Sequence, residues 1–277
     1  MTSDPNTETS SEVPSRTGVE TSSETPAQPP SETTIETTPE SMPDLARPRP
    51  ALDVAALQGV LQRLAEAIKA ERSHAERLFR QSEALASLLA WLQPSMPFPP
   101  TRGWAASPDF LMLETEAIIE VAGRTGGESI HVVEASSGVT TLVAAYALKR
   151  LGIAPGVGRV TSLEHDLKYV SANRELLARH GLADYATVVH APLEMQELDG
   201  MSFKWYAAAA LESIDAVDVL VVDGPPGRLG PIARFPALPR LADRLSSGAI
   251  VLADDADRPG EAEMVRRWAS AFPEATC

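Results

Sequence analysis

The clearest chemical signal in the chain is a set of aspartates that ends two apolar runs. Val217-Asp-Val-Leu-Val-Val-Asp223 stops at an acid followed by Gly-Pro-Pro-Gly227, and the run from Gly248 stops at Asp254-Asp255-Ala-Asp257. A rigid turn behind Asp223 fixes its carboxylate at a rim. Carboxylates brought close repel, so they must be protonated or share a cation or a basic group. Two chemistries follow. Asp223 is the candidate catalytic residue, as a proton acceptor or a positioning group. Asp223, Asp254 and Asp255 together are a candidate hard-oxygen site for a divalent ion such as Mg²⁺. The plain alternative is solvated loop acids, with Asp257 capping a helix ahead of Pro259.

Three other run ends carry polar groups. The run Ser129–Glu134 leads into Ala-Ser136-Ser-Gly138-Val-Thr-Thr141, a turn of small residues that lets a ligand approach and opens a helix with free N–H groups. It has one glycine where a dinucleotide fingerprint has three, so a tight turn without a ligand is the competing reading. The run from Arg159 ends in Glu164-His165-Asp166. A carboxylate there accepts hydrogen bonds from both hydroxyls of a ribose. Glu164 is assigned that role and Asp166 the cap of the next helix. The run Ala186–His190 continues into Ala-Pro192-Leu-Glu194, an edge that would flank an adenine, with His190 read as a packing residue rather than a catalyst.

The elements that position these groups alternate. Strands are expected at 129–134, 159–164, 186–190, 217–223 and 248–254. Helices are expected at 114–122, 140–151, 167–180 (closed by Gly181), 232–245 and 261–271. Such alternation specifies a doubly wound α/β domain with a parallel sheet, and ligands bind such sheets at the carboxyl ends of the strands.

The domain, residues 94–277, is preceded by two different segments. Residues 1–50 are Ser, Thr, Glu and Pro without an aromatic residue, too poor in apolar surface to offset the entropy of ordering, and are expected to be disordered. Residues 51–93 carry a heptad seam, Leu57, Leu61, Leu64, Ile68, Ala75, Leu78, Leu85, Leu89 and Leu92, interrupted by Glu71 and Ser82. That predicts one long helix, ended by Pro94, Pro97, Pro99 and Pro100. It either packs on its own domain or forms a coiled coil that makes a homodimer through residues 53–92.

The net charge of −14, with 24 basic against 38 acidic residues, disfavours a nucleic-acid partner. The lone Cys277 excludes an internal disulfide and a cysteine zinc site. No apolar stretch approaches the roughly 20 residues of a membrane helix, and the N-terminus is not a secretory signal. A cytoplasmic location without membrane contact is the expectation.

Six segments in order, Trp104-Ala-Ala-Ser-Pro-Asp109, the Glu134–Thr141 turn, Ser162-Leu-Glu-His-Asp166, Val222-Asp-Gly-Pro-Pro-Gly227, Arg234-Phe-Pro-Ala-Leu-Pro239 and Asp254-Asp-Ala-Asp-Arg-Pro-Gly260, resemble a bacterial branch of the class I S-adenosylmethionine-dependent methyltransferases. The resemblance covers roughly residues 95–270. It implies a Rossmann-like methyltransferase fold with S-adenosylmethionine as cofactor. Glu134, Ser136 and Gly138 would lie near its methionine part, and Glu164 with His165 at the ribose. Pro192 would sit at the adenine edge, and Asp223 would face the transferred methyl. The family turn reads Glu-x-Gly-Ser-Gly, and Ser136 replaces its first glycine.

The expected activity is methyl transfer to the hydroxyl of a small molecule or glycan. The alternatives are a catalytically silent methyltransferase-like oligomerisation module and a nicotinamide-dependent oxidoreductase. The family sheet has seven strands, and only five are found here. The expectation is therefore a parallel sheet ordered 3-2-1-4-5, without the C-terminal hairpin. Its fifth strand would be an open edge, covered by the long helix, the Trp104 segment or a second subunit.

Overall fold

The computed structural model describes residues 53–275, so the expectation of a disordered tail lies outside the described residues. Helix α1, Val54–Leu92, is continuous, as the seam requires. Its apolar stripe divides in two. Leu88 and Leu92 are buried in the domain core, whereas Leu57, Leu61, Leu64, Ile68 and Leu78 are between 46% and 60% exposed. The C-terminal end of the helix thus packs on its own domain, whereas the leucine and isoleucine side chains from Leu57 to Ile68 are exposed.

Helix α2, Pro108–Thr125, starts with proline in its first turn and ends at Gly126 in the left-handed conformation (φ 65°). It is longer at both ends than its apolar periodicity suggests. Five parallel strands follow: β1 Ile130–Ala135, β2 Gly158–Glu164, β3 Ala186–His190, β6 Val217–Val222 and β7 Leu245–Ala253. Their order is β3-β2-β1-β6-β7, the expected 3-2-1-4-5 arrangement. The order reverses between β1 and β6, which places a crevice at their carboxyl ends.

One face of the sheet is covered by α2, α3 (Val139–Arg150), α4 (Leu167–Arg179) and the end of α1, over Leu111, Ile118, Ile130, Leu142 and Leu148. The other face packs Val133, Leu163, Leu220 and Val222 against Trp205, Phe235, Met264 and Trp268. Asp166 caps α4 as expected, its side chain accepting from the Lys168 N–H at 2.9 Å, and Gly181 follows the helix with φ 64°.

Three expectations are corrected. First, residues 193–206 form an antiparallel hairpin that was not anticipated: β4 Leu193–Leu198 and β5 Met201–Tyr206 pair as a separate two-stranded sheet. Asp199 and Gly200 turn it with φ of 52° and 73°, the backbone an Asp-Gly hairpin turn requires. A four-residue helix, α5 (Ala208–Leu211), follows.

Second, the helix expected over 232–245 shrinks to α6, Ala237–Leu241, and one 3-10 turn, and β7 begins at Leu245. Pro236 and Pro239 leave little room for more. Third, Asp257 does not cap α7 (Pro259–Ala271); the cap position is Arg258, with no side-chain cap bond. At the edge strand β7, Arg124 donates to the Gly248 carbonyl at 2.7 Å, while Trp104, 88% exposed, covers nothing there.

Candidate functional site

A cleft of about 590 Å³ opens at the carboxyl ends of β1, β2 and β6, in the size range of small-molecule sites. Ser136, Glu164, His165 and Asp223 line it, and so do Asp254 and Asp255. Side chains to which the sequence analysis gave no role in the site also line it, among them Arg102, Trp104, Tyr206, Arg228, Arg234 and Arg258.

At the β2 end the Glu164 carboxylate is held by two donors. Ser137 Oγ donates to Oε2 at 2.9 Å, and the Asp166 N–H donates to Oε1 at 2.8 Å. Asn173 Nδ2 in turn donates to Ser137 Oγ at 2.7 Å. The carboxylate is therefore fixed in direction and keeps acceptor capacity on both oxygens. His165 Nδ1 stands 3.0 Å from Oε1.

Glu134 behaves differently. It points toward α3, fully buried, and does not line the cleft. Thr140 and Thr141 donate to its two oxygens and Ser162 Oγ donates to Oε2 at 2.7 Å. Burial pushes its carboxyl up to about 7 against these hydroxyl donors. It ties the β1 turn to the start of α3. Gly138 sits at the cap position of α3, its N–H on Thr141 Oγ1 at 3.0 Å, and is also not part of the cleft wall. Pro192 and His190 are exposed, so His190 is not a packing residue and Pro192 lies away from the cleft wall.

The turn after β1 carries the departure noted in the sequence. Ser136 has φ 134°, a region that costs a residue with a Cβ about 1–3 kcal/mol. Gly224, after β6, faces it: a Cβ there would meet Tyr206 Oη at 2.7 Å, the Ala135 carbonyl at 3.0 Å and Ser136 Cβ at 3.1 Å. The ends of β1, β5 and β6 are jammed together at this point, and only glycine fits.

The carboxylates at the β6 and β7 ends have a neutralising group. Arg234, buried and reaching in from the loop before α6, sets Nη2 3.2 Å from Asp223 Oδ1 and 3.2 Å from Asp255 Oδ2, and Nη1 donates to the Asp254 carbonyl. Arg258 takes Asp255 at 2.7 Å. One oxygen of each aspartate lies within 4.8 Å of the others, as a cation site would need, but the guanidinium bridges two of the three. The set does not fit a divalent ion as it stands.

Burial lifts the Asp223 carboxyl to about 8; Arg234 pulls it down, while Asp254, Glu134 and Asp255 push it up. Asp254 is also raised, first by burial. The Tyr206 phenol, at the end of the unforeseen hairpin, is raised well above its ordinary value by burial and by the carboxylates of Glu164, Glu134 and Asp223. It stays a neutral donor. On α2, the fully buried Glu114 has no hydrogen-bond partner on either oxygen among the described residues and is raised as well, by burial and then by Glu134 and Asp223. Burial thus favours the protonated forms of Asp223 and Asp254 at the cleft and of Glu134 and Glu114 behind it.

Residues 135–256 match the family model described as a methyltransferase domain. No curated protein matches the chain. Among solved structures the chain is similar to the O-methyltransferase of Bacillus cereus in complex with S-adenosylhomocysteine (19% identity, covering 70% of this chain and 79% of that one, TM-score 0.39). It is also similar to the O-methyltransferase TomG of Streptomyces achromogenes in complex with S-adenosylmethionine (16%, 70% and 79%, TM-score 0.41). A third is a precorrin-6y C5,15-methyltransferase of Geobacter metallireducens (16%, 61% and 76%, TM-score 0.42). The match spans the turn after β1 through the end of β7, the part of the chain that builds the cleft, on a doubly wound parallel sheet.

Proposed function

We propose that the domain transfers the methyl group of S-adenosylmethionine to an acceptor hydroxyl. The observation that carries this reading is the cleft itself. It joins a fixed, acceptor-rich carboxylate at the β2 end, Glu164, to a half-buried carboxyl raised to about 8 at the β6 end, Asp223. When bound, S-adenosylmethionine supplies an electrophilic methyl on a sulfonium cation.

The side chains divide the remaining work. Glu164 accepts from the ribose hydroxyls and His165 borders the adenosine. Once deprotonated, the Asp223 carboxylate favours the positive sulfonium electrostatically. Asp223 takes the acceptor's hydroxyl proton, and its value of about 8 is well matched to that task. Arg234 holds Asp223 in place, and Tyr206 offers a neutral phenol to the same space. No step is routed through a metal.

The experiment is calorimetric titration of the full chain with S-adenosylhomocysteine, S-adenosylmethionine and NAD. Binding of the first two without the third supports the reading. Binding of NAD alone favours an oxidoreductase, and binding of none favours a silent module.

We further propose that the chain is a homodimer. The support is the exposed stripe Leu57, Leu61, Leu64 and Ile68 on α1, whose 3-4 spacing suits a two-stranded coiled coil. Light scattering tests it: the L64E/I68E variant should be half the mass of the wild type. A wild-type monomer at micromolar concentration contradicts the dimer.

A further inference from the structure

We propose that the acceptor is an anionic ring compound: a hydroxyl-bearing ring, carbohydrate or aromatic, that also carries a phosphate or carboxylate. The proposal rests on the methyl-transfer reading above and names the substrate class for the same site.

The cleft does not end at the aspartates. Its outer wall is built by Arg102-Gly-Trp-Ala105, the loop between α1 and α2, and by Arg228 in the turn Gly227–Leu229 after β6. Gly103 adopts φ 77°, which turns this loop sharply before Trp104. The indole is 88% exposed at the rim of a concave site. An exposed tryptophan there offers a rigid, flat apolar face to a ring.

Four guanidinium groups line this cleft. Arg234 and Arg258 are committed to Asp223 and Asp255. Arg102 and Arg228 form no ion pair or hydrogen bond among the described residues, although the chain carries a net charge of −14 and has acids to spare. Guanidinium forks match carboxylate and phosphate geometry. The charge is also ordered in space. The proposed base, Asp223, is half-buried at the β6 end with its side chain 15% exposed, and the uncommitted cations are exposed at the rim. An acceptor that serves both must place its hydroxyl inward and its anion outward, with the ring between them against Trp104. A neutral ring would leave Arg102 and Arg228 unused. Two such residues on an acidic chain are also far from the basic tract that a nucleic-acid backbone needs.

The test uses the full chain saturated with S-adenosylhomocysteine and two matched pairs of probes, glucose 6-phosphate against glucose and 3,4-dihydroxybenzoate against catechol. Dissociation constants are read by calorimetry. In at least one pair the anionic member should bind about tenfold or more tightly than the neutral one, the effect of a charge-assisted hydrogen bond. The pair that responds tells sugar from aromatic ring. The R102Q/R228Q variant should lose that preference while keeping its S-adenosylhomocysteine affinity, and W104A should weaken both members of the pair. No preference for the anion in either pair overturns the proposal, as does a preference that survives R102Q/R228Q. Failure of the wild type to bind S-adenosylhomocysteine overturns the cofactor reading instead.

Discussion

Nη2 of Arg234 lies 3.2 Å from Oδ1 of Asp223, a contact between two side chains that are 6% and 15% exposed. The contact organises the acid end of the cleft. It lowers the Asp223 carboxyl against a larger push from burial, and the balance falls at about 8. It also supplies the positive charge that three neighbouring aspartates demand.

The first prediction follows from that balance. With acceptor hydroxyl as substrate, kcat/KM should rise with pH through about 8, as Asp223 loses its proton in the free enzyme. Arg234→Gln removes the group that lowers the carboxyl, so its profile should shift to higher pH. A pH profile of both proteins checks this; an unmoved midpoint in Arg234→Gln contradicts it.

The second concerns Mg²⁺. Since the guanidinium bridges Asp223 and Asp255, exhaustive chelation should leave the methyl-transfer rate unchanged. Loss of activity on chelation, restored by Mg²⁺, would show that Arg234 gives way to an ion.

The third is a stability profile. Asp223 and Glu134 hold their protons to about pH 8 and 7 in the folded chain, and Glu114 is raised too, whereas the unfolded chain releases them near pH 4. The unfolded state therefore binds fewer protons across that interval, and folded stability falls as pH rises from about 4 to about 8. Melting of the ligand-free protein should show a lower Tm at pH 8 than at pH 5. Glu114→Leu, which removes a buried carboxyl without a hydrogen-bond partner among the described residues, should recover part of the loss. A Tm that rises over this interval contradicts the assignment.

Much of this was readable before the structure and some was not, for definite reasons. The five strands and their order follow from apolar runs separated by helical periodicity, which are local patterns. The hairpin β4–β5 was missed although its signal was present: Leu193–Leu198 alternates, and Asp199-Gly200 is a strong two-residue turn. Tyr206 was missed with it. Arg234 lay inside a noted segment, but its contact with Asp223 depends on the path of the loop after β6, which no local pattern encodes. Glu164 and Asp223 could be found because each ends a strand. Glu134 also ends one, but pleat alternation turns its side chain toward α3, where Thr140 and Thr141 hold it out of the cleft.

The fourth prediction concerns Ser136. At φ 134° the serine is strained and a glycine is not. Ser136→Gly should raise stability by about 1 kcal/mol, the strain relieved less the entropy cost of glycine, and should tighten S-adenosylhomocysteine. Chemical denaturation checks the first part and calorimetry the second. A destabilised variant would mean that contacts of the hydroxyl outweigh the strain.

The most direct test of the account is the affinity of S-adenosylhomocysteine for the full chain and for Glu164→Ala. The account predicts binding to the wild type and a loss of about a hundredfold or more in the variant, since two charge-assisted hydrogen bonds of roughly 1.5–3 kcal/mol each disappear. Equal affinity of the two proteins, with the variant folded, would contradict it.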